Sequence, residues 1–265
     1  MSIGFIGCGN MATAIIKGII KSKTVEENEI NVFDVYAPAV EKLTAEYKIN
    51  KRESECDVVS SSDAVILAGK PNVLPQVLNK INTTLEESDT LLISIAAGKS
   101  TEFIRGALSH NNRIIRVMPN INATVSEAMC AYTANADATE ADKQTAEAIF
   151  SGVGKVMYLD ENYFPLFGVI GGCGPAFAYM FIDAMARAGV KNGMKKDTAL
   201  MVAAQTVLGS AKMILESSEH PWELIDKVCS PGGTTIEAVT SLQADGFESA
   251  IHNAIDKAVD KDSKL

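Results

Sequence analysis

The sequence predicts an α/β fold in its amino-terminal part, a doubly wound and mostly parallel sheet, followed by an all-helical unit. Three observations carry this reading. Short, nearly continuous apolar runs alternate with helix-spaced segments up to about residue 160, as strands buried on both faces do. The first of these runs tightens into a glycine turn that opens a helix. Beyond about residue 160 the strand signal disappears and helical spacing takes over. The expected units are therefore residues 1–160 and 161–265, each of ordinary domain size.

Ile3-Gly4-Phe5-Ile6 reads as the first strand, Gly7-Cys8-Gly9-Asn10-Met11-Ala12 as a Gly-x-Gly-x-x-Ala turn, and Thr13-Ala14-Ile15-Ile16 as the helix it opens. Gly7 permits the tight turn, Gly9 lets a pyrophosphate approach the backbone, and Ala12 is small enough for the helix to pack on the strand. An anion there meets backbone N–H groups without intrahelical partners at the positive end of the helix dipole. Ile6, Gly7, Gly9, Asn10, Met11 and Ala12 are thus the first candidate contacts to a dinucleotide on a Rossmann-type sheet. The second strand, Glu29-Ile30-Asn31-Val32-Phe33-Asp34, ends in a carboxylate near the ~20-residue offset at which an acidic residue holds an adenosine ribose. A solvated or helix-capping Asp fits the same position. If Asp34 holds the ribose, it repels a 2′-phosphate and favours NADH over NADPH.

Pro38 opens the next helix, which runs to about Tyr47, and a short acidic helix spans about Glu53 to Ser60. Asp63 to Ala68 is a buried strand ending in Gly69-Lys70-Pro71-Asn72, with a helix through Val73, Val77 and Leu78 after it. Thr90 to Ile95 ends in Ala96-Ala97-Gly98, and Arg113 to Val117 ends in Met118-Pro119-Asn120. Ligands on such sheets bind outside the carboxyl ends of the strands. Lys70, Pro71, Ala96, Gly98, Met118, Pro119 and Asn120 therefore complete the expected cofactor rim. Ala128 to Ala134 and Lys155 to Leu159 read as further strands, antiparallel at the sheet edge. Between them Thr139-Glu140-Ala141-Asp142 has capping-box spacing before a helix that stops at Gly152. Helices are then expected over 175–190, 197–217 and 222–228, with one last helix from Thr234 to near the carboxyl terminus.

Composition narrows the function. A net charge of −9 with no Lys/Arg stripe argues against nucleic acid. No run reaches ~18 uninterrupted apolar residues and the first residues do not read as a signal peptide, so no membrane association is expected. The five cysteines are scattered, odd in number and without Cys-x-x-Cys, which points away from disulfides and zinc and toward a reducing cytoplasm. Three histidines leave little for a metal site. Cys8, Cys173 and Cys229 neighbour proposed ligand loops and read first as packing residues, with redox sensitivity the alternative. The helices over 175–190 and 198–215 are apolar around much of their circumference, which calls for a second chain to cover them: a homodimer.

A second glycine-bearing block, Ser230-Pro231-Gly232-Gly233-Thr234-Thr235, opens the last helix. It suits a carboxylate bound by bare backbone at a helix N-terminus, and equally a Pro-Gly turn followed by a threonine cap. This block, with Gly4 to Ala12, Lys70-Pro71, Arg116 to Asn120, Gly172 to Phe177, Gly189 to Met194 and Ala203-Ala204-Gln205-Thr206, resembles the pyrroline-5-carboxylate reductase family along nearly the whole chain. The resemblance implies a Rossmann domain followed by a helical dimerisation domain, and reduction of 1-pyrroline-5-carboxylate to proline by NAD(P)H, with NADPH the family's common cofactor. Each substrate pocket is then expected between cofactor and helical domain, with residues from both chains, and dimers can assemble into a larger ring. By the same likeness Ser230, Gly232, Gly233 and Thr234 bind the substrate carboxylate, through the backbone N–H groups of Ser230, Gly233 and Thr234. The Thr235 hydroxyl, the one expected catalytic group, faces the ring nitrogen.

Departures from the family pattern are Gly171 and Cys173 where Ser is common, Phe177 for Tyr, Glu248 for Arg, and Asp34 for small or basic residues. A cyclic imine needs placement more than acid–base chemistry, and the Ser230–Thr235 block holds no His, Cys or carboxylate. A 2-hydroxyacid dehydrogenase of similar layout needs a catalytic Lys where Ala178 stands. A non-catalytic dinucleotide sensor leaves the second glycine block without a ligand.

Overall fold

The computed structural model describes residues 1–262 and divides between Gly172 and Cys173 into two units. The first runs β1 (Ile3–Ile6), α1 (Asn10–Ser22), β2 (Ile30–Phe33), α2 (Ala37–Glu46), β3 (Asn50–Lys51), α3 (Glu55–Ser60), β4 (Ala64–Leu67) and α4 (Leu74–Glu86). It continues through β5 (Leu91–Ser94), α5 (Thr101–Gly106), β6 (Ile114–Met118), β7 (Ala128–Ala134), α6 (Glu140–Ser151), β8 (Gly154–Tyr158) and the single turn α7 (Phe164–Phe167). The eight strands form one sheet in the order β3-β2-β1-β4-β5-β6-β7-β8. Every pair from β3 to β6 is parallel; β7 runs antiparallel to β6, and β8 runs parallel to β7. The doubly wound sheet with a reversed edge is thus the expected one.

Side-chain alternation builds a core on each face. Ile3, Phe5, Ile66, Ile93 and Ile115 point to one side, where Ile15, Ile16 and Ile19 of α1, Leu43 of α2 and Phe150 of α6 meet them. Ile6, Val65, Leu67, Leu92 and Ile114 point to the other, against Val58 and Val59 of α3, Leu78 and Ile81 of α4 and Ile104 of α5. With both faces covered, the strand ends are left for ligands. At the start of α6 the expected capping box forms in both directions. Thr139 N donates to Asp142 Oδ2 at 2.7 Å, and Asp142 N donates to Thr139 Oγ1 at 3.2 Å. Asp142 is almost fully buried and also pairs with Arg113.

The second unit, from Cys173 on, holds α8 (Gly174–Lys191), α9 (Lys196–Glu216), α10 (Pro221–Val228), α11 (Thr234–Ala244) and α12 (Phe247–Asp262). Helices α8 and α9 meet through Ala186, Ala199 and Ala203, small residues that let the backbones approach, with Ile182 packed against them. The single closing helix expected from Thr234 is instead two: Gly246 adopts φ +77°, the left-handed geometry that ends a helix, and separates α11 from α12. Features that were not anticipated include the two-residue strand β3, the short helices α5 and α7, and a turn of π-helix over Gly168–Cys173. The compact first unit extends to Gly172, and Phe164 within it is fully buried and Val169 nearly so.

Glu161–Lys191 and Lys196–Glu216 are long and apolar enough, by length and composition alone, to cross a membrane, although charged residues interrupt both. Little of either stretch is buried within the chain, and Tyr179, Met180, Met201 and Leu208 are more than half exposed. Such a contiguous apolar surface calls for a cover.

Because Asp142 caps α6 and neutralises Arg113 at once, Asp142→Ala is expected to destabilise the first unit by about 2–4 kcal/mol. Asp142→Asn, which keeps a capping oxygen, is expected to cost roughly half of that. Urea unfolding midpoints check this; an unshifted midpoint for the alanine variant would overturn it.

Candidate active site

The turn after β1 is built by hydrogen bonds across the sheet. Gly7 N donates to Phe33 O of β2 at 2.8 Å, and Ala68 N donates to Ile6 O at 2.9 Å. Gly7 adopts φ +102°, and a Cβ there would stand 2.9 Å from the backbone of Ala68 and Gly69. Only glycine fits such a conformation without strain. Gly9 differs: its φ is −72°, and a Cβ on it would meet nothing within 4 Å. The open space over Gly9 is where a ligand's backbone approach is possible. Gly9 also forms the N-cap of α1, which has no side-chain cap and no acidic residue in its first turn. The amides of Asn10, Met11 and Ala12 are left for an anion, and Ala12 is buried against the core.

Asp34 takes a part the sequence did not suggest. Its Oδ2 accepts from Cys8 N at 2.7 Å and its Oδ1 from Tyr36 N at 2.8 Å. The carboxylate therefore braces the glycine turn from the end of β2. Burial, with the Asp34 charge adding to it, pushes the Cys8 thiol up to about 12, so Cys8 is a packed, protonated side chain.

Two clefts open at this edge of the sheet. The larger, about 490 Å³, is bordered by Gly7, Gly9, Asp34, Tyr36, Lys70 and Lys80. Lys80 is engaged by Glu55 at 2.8 Å, whereas Lys70 is exposed. The smaller, about 200 Å³, lies among Met11, Ala96, Arg116, Met118 and Pro119. Gly98, at φ +70°, turns the loop after Ala96 toward α5. Most of the expected cofactor rim is thus brought together, with Pro71 half-buried just beyond Lys70. Asn120 is buried and faces elsewhere: its Nδ2 donates to Gly171 O at 2.8 Å, while its Oδ1 has no partner. A further cleft, about 680 Å³, lies at the opposite ends of the strands, among Ser2, Asp63, Asp89 and Arg113. Its Arg113 is already paired with Asp89 and Asp142, so among the described residues that cleft offers no spare cation for an anionic ligand.

Sequence reasoning missed a buried ionic knot beside the smaller cleft. Arg116 Nη1 lies 2.9 Å from Glu161 Oε1, and the guanidinium stacks 4.5 Å above the Phe164 ring. The same carboxylate accepts from Thr101 N at 2.9 Å and Thr101 Oγ1 at 2.7 Å. Burial pushes the Glu161 carboxyl up, but the bonds from Thr101 and Arg116 outweigh it and hold the group below its ordinary value. An arginine inside an apolar strand was the only signal.

In the second unit the Ser230–Thr235 block forms a tight turn at the amino end of α11. Gly232 adopts φ +67°, and Gly233 N donates to Ser230 O at 3.0 Å. That amide, expected among the carboxylate donors, is therefore engaged in closing the turn. A Cβ on Gly233 would come within 2.4 Å of Ser230 Oγ. Gly233 is the N-cap of α11 and no side chain caps the helix. The first amides of α11, beginning at Thr234 and Thr235, are consequently available, as at α1.

A mostly parallel sheet with a glycine turn opening its first helix, followed by a helical unit with a second glycine-capped helix terminus, has the layout of a dinucleotide-dependent oxidoreductase of two units. Residues 161–265 match the family model described as pyrroline-5-carboxylate reductase dimerisation, and residues 2–98 match one described as NADP oxidoreductase, coenzyme F420-dependent. The chain is 43% identical over 267 residues to the pyrroline-5-carboxylate reductase of Escherichia coli (strain K12), covering 99% of this chain and 97% of that one. It is 42% identical to that of Methanosarcina acetivorans, with the same coverage. Among solved structures, a pyrroline-5-carboxylate reductase from Coxiella burnetii matches with a TM-score of 0.94 at 30% identity, over 99% of this chain and 97% of that one. The Plasmodium falciparum enzyme, solved with NADP bound, matches with a TM-score of 0.86 at 29% identity and the same coverage. The chain belongs to the pyrroline-5-carboxylate reductase family.

The two glycines of the first turn are expected to respond differently to one methyl group. Gly7→Ala should cost at least about 2 kcal/mol through backbone strain. Gly9→Ala should cost about 1 kcal/mol or less, the usual range for a changed N-cap. Thermal unfolding of both variants checks this, and equal losses would contradict it.

Proposed function

We propose that this protein reduces 1-pyrroline-5-carboxylate to L-proline, the last step of proline biosynthesis, with NAD(P)H as the reductant. What carries the reading is the pair of glycine-capped helix termini, at α1 in the first unit and α11 in the second, in a chain that matches curated reductases over 99% of its length. Gly7, Gly9 and the amides of Asn10 to Ala12 hold the pyrophosphate. Ile6, Asp34, Lys70 and Pro71 border the adenosine side. Ala96, Gly98, Met118 and Pro119 border the nicotinamide side, with Asn120 supporting them from behind. When bound, the dinucleotide supplies a hydride from its reduced nicotinamide ring.

The first amides of α11, with the Ser230 hydroxyl, bind the substrate carboxylate. Gly232 and Gly233 shape the turn that presents them. The Thr235 hydroxyl hydrogen-bonds the ring nitrogen and fixes which face of the imine is offered. With no His, Cys or carboxylate in the block, the substrate arrives protonated or takes its proton from water through Thr235. Cofactor choice rests on Asp34. A carboxylate at the rim, with no arginine among the described residues that border the cleft, supports NADH over NADPH. The exposed apolar faces of α8 and α9 support a homodimer, with a larger ring of dimers its extension. Five free cysteines fit a reducing cytoplasm.

Steady-state oxidation of NADH and of NADPH with pyrroline-5-carboxylate tests the whole reading; dinucleotide binding without turnover would leave only a sensor. Within it, Thr235→Ala is expected to lower kcat at least about tenfold while leaving dinucleotide affinity within about twofold, since one positioned hydrogen bond to a charged group contributes roughly 1.5–3 kcal/mol. Unchanged turnover would remove Thr235 from the chemistry. Asp34→Ser is expected to raise the NADPH-to-NADH ratio of kcat/KM by about tenfold, through removal of one charge repulsion. A ratio that stays put would confine Asp34 to bracing the turn.

A further inference from the structure

The wall of the smaller cleft contains a cation that is matched charge for charge. Arg116 is 93% buried by its 7% exposure, and it borders the cleft together with Met11, Ala96, Met118 and Pro119. It sits on β6 in register with Ser94 of β5 and Thr133 of β7, both buried. Its carboxylate partner is Glu161 at 2.9 Å. Glu161 follows β8 in the chain and is anchored independently by two bonds from Thr101, the first residue of α5. The pair therefore ties three segments together: the end of β6, the helix that follows the Ala96–Gly98 loop, and the segment after β8. Phe164 closes its remaining face.

Resting on the cofactor placement proposed above, the geometry points to Glu161 as a positioning residue that sets the charge of the nicotinamide end of the cleft. By neutralising Arg116, Glu161 lets one wall accept the nicotinamide both as the neutral reduced ring and as the cation left after the hydride is given up. An unmatched guanidinium in the same wall repels the cation alone. In a site of low effective dielectric, that repulsion falls on one redox state and spares the other. Thr101 contributes differently: it fixes where the carboxylate stands without adding charge.

The test is equilibrium binding to the purified full chain, by titration calorimetry, of NADH, NAD⁺ and ADP-ribose, the last lacking the nicotinamide. If the protein takes the 2′-phosphorylated forms, their matched set replaces these. In E161Q the affinity for NAD⁺ is expected to fall about tenfold relative to NADH, a difference of about 1.4 kcal/mol. ADP-ribose is expected to stay within about twofold of wild type. R116Q leaves the opposite charge and is expected to shift the NAD⁺-to-NADH ratio the other way, so it carries the test by itself should E161Q fail to fold. T101V, which loosens the knot without changing its charge, is expected to weaken both dinucleotides equally. Equal losses for NADH and NAD⁺ in E161Q, or shifts of the same sign in E161Q and R116Q, would overturn the inference while leaving the cofactor reading intact. A wild-type chain that binds neither dinucleotide more tightly than ADP-ribose would overturn the cofactor placement and this inference with it.

Discussion

Everything at this site depends on the direction of the parallel strands. Six neighbouring strands run the same way, so their carboxyl ends, and the loops that follow them, are delivered to one edge. Burying both faces of such a sheet leaves that edge as the place where backbone polar groups stay unpaired at no further cost to the core. Ala12 completes the arrangement from below. Its small side chain seats α1 against the sheet, and the first amides of the helix point over Gly9 into open space. An acidic chain of net charge −9 can hold a dianionic pyrophosphate here because the attraction comes from local dipoles rather than from the overall field.

Asp34 braces the fold and, in the function proposed above, sets cofactor choice as well. A carboxylate that accepts from Cys8 N and Tyr36 N is already fixed in place before any ligand arrives. Each of its oxygens keeps a lone pair, and the group still borders the larger cleft. Preorganisation of this kind lowers the ordering cost of binding. It also couples the two tasks, since removing the carboxylate loosens the glycine turn as well as altering the charge at the rim. The effects separate only when two cofactors that differ at the 2′ position are compared.

The legible parts of the chain were those whose cause is local. Continuous apolar runs such as Ala64–Leu67 and Leu91–Ser94 could only be strands covered on both sides. Thr139 and Asp142 announced a helix start by spacing alone, and the structure forms both of its bonds. What stayed hidden depends on partners far along the chain. Strand β3 is two residues long and exists through its pairing with β2, helped by Asn50 Nδ2 bonding Asn28 O. The Arg116–Glu161–Thr101 knot joins residues 45 and 60 positions apart, which no periodicity reports. The break before α12 was in principle readable, since Gly246 follows Asp245 inside a helical pattern, but the surrounding apolar spacing continues across it and masks the stop.

The two glycine turns solve related problems by different means, and the difference bears on what each can hold. At Gly7 the backbone of Ala68 and Gly69, just after β4, leaves no room for a Cβ, and the turn is tied to the sheet by Gly7 N on Phe33 O and Ala68 N on Ile6 O. At Gly232 a substituent would meet nothing, and the turn is closed instead from within, by Gly233 N on Ser230 O. A Cβ at Gly233 would strike Ser230 Oγ, so a substituent there has to turn the Ser230 hydroxyl aside. The spending of one amide on turn closure narrows the number of donors left for an anion. A dinucleotide, with two phosphates and long apolar and polar arms, suits the broad sheet-edge site. A compact carboxylate, needing only two or three donors in a small arc, suits the terminus of α11.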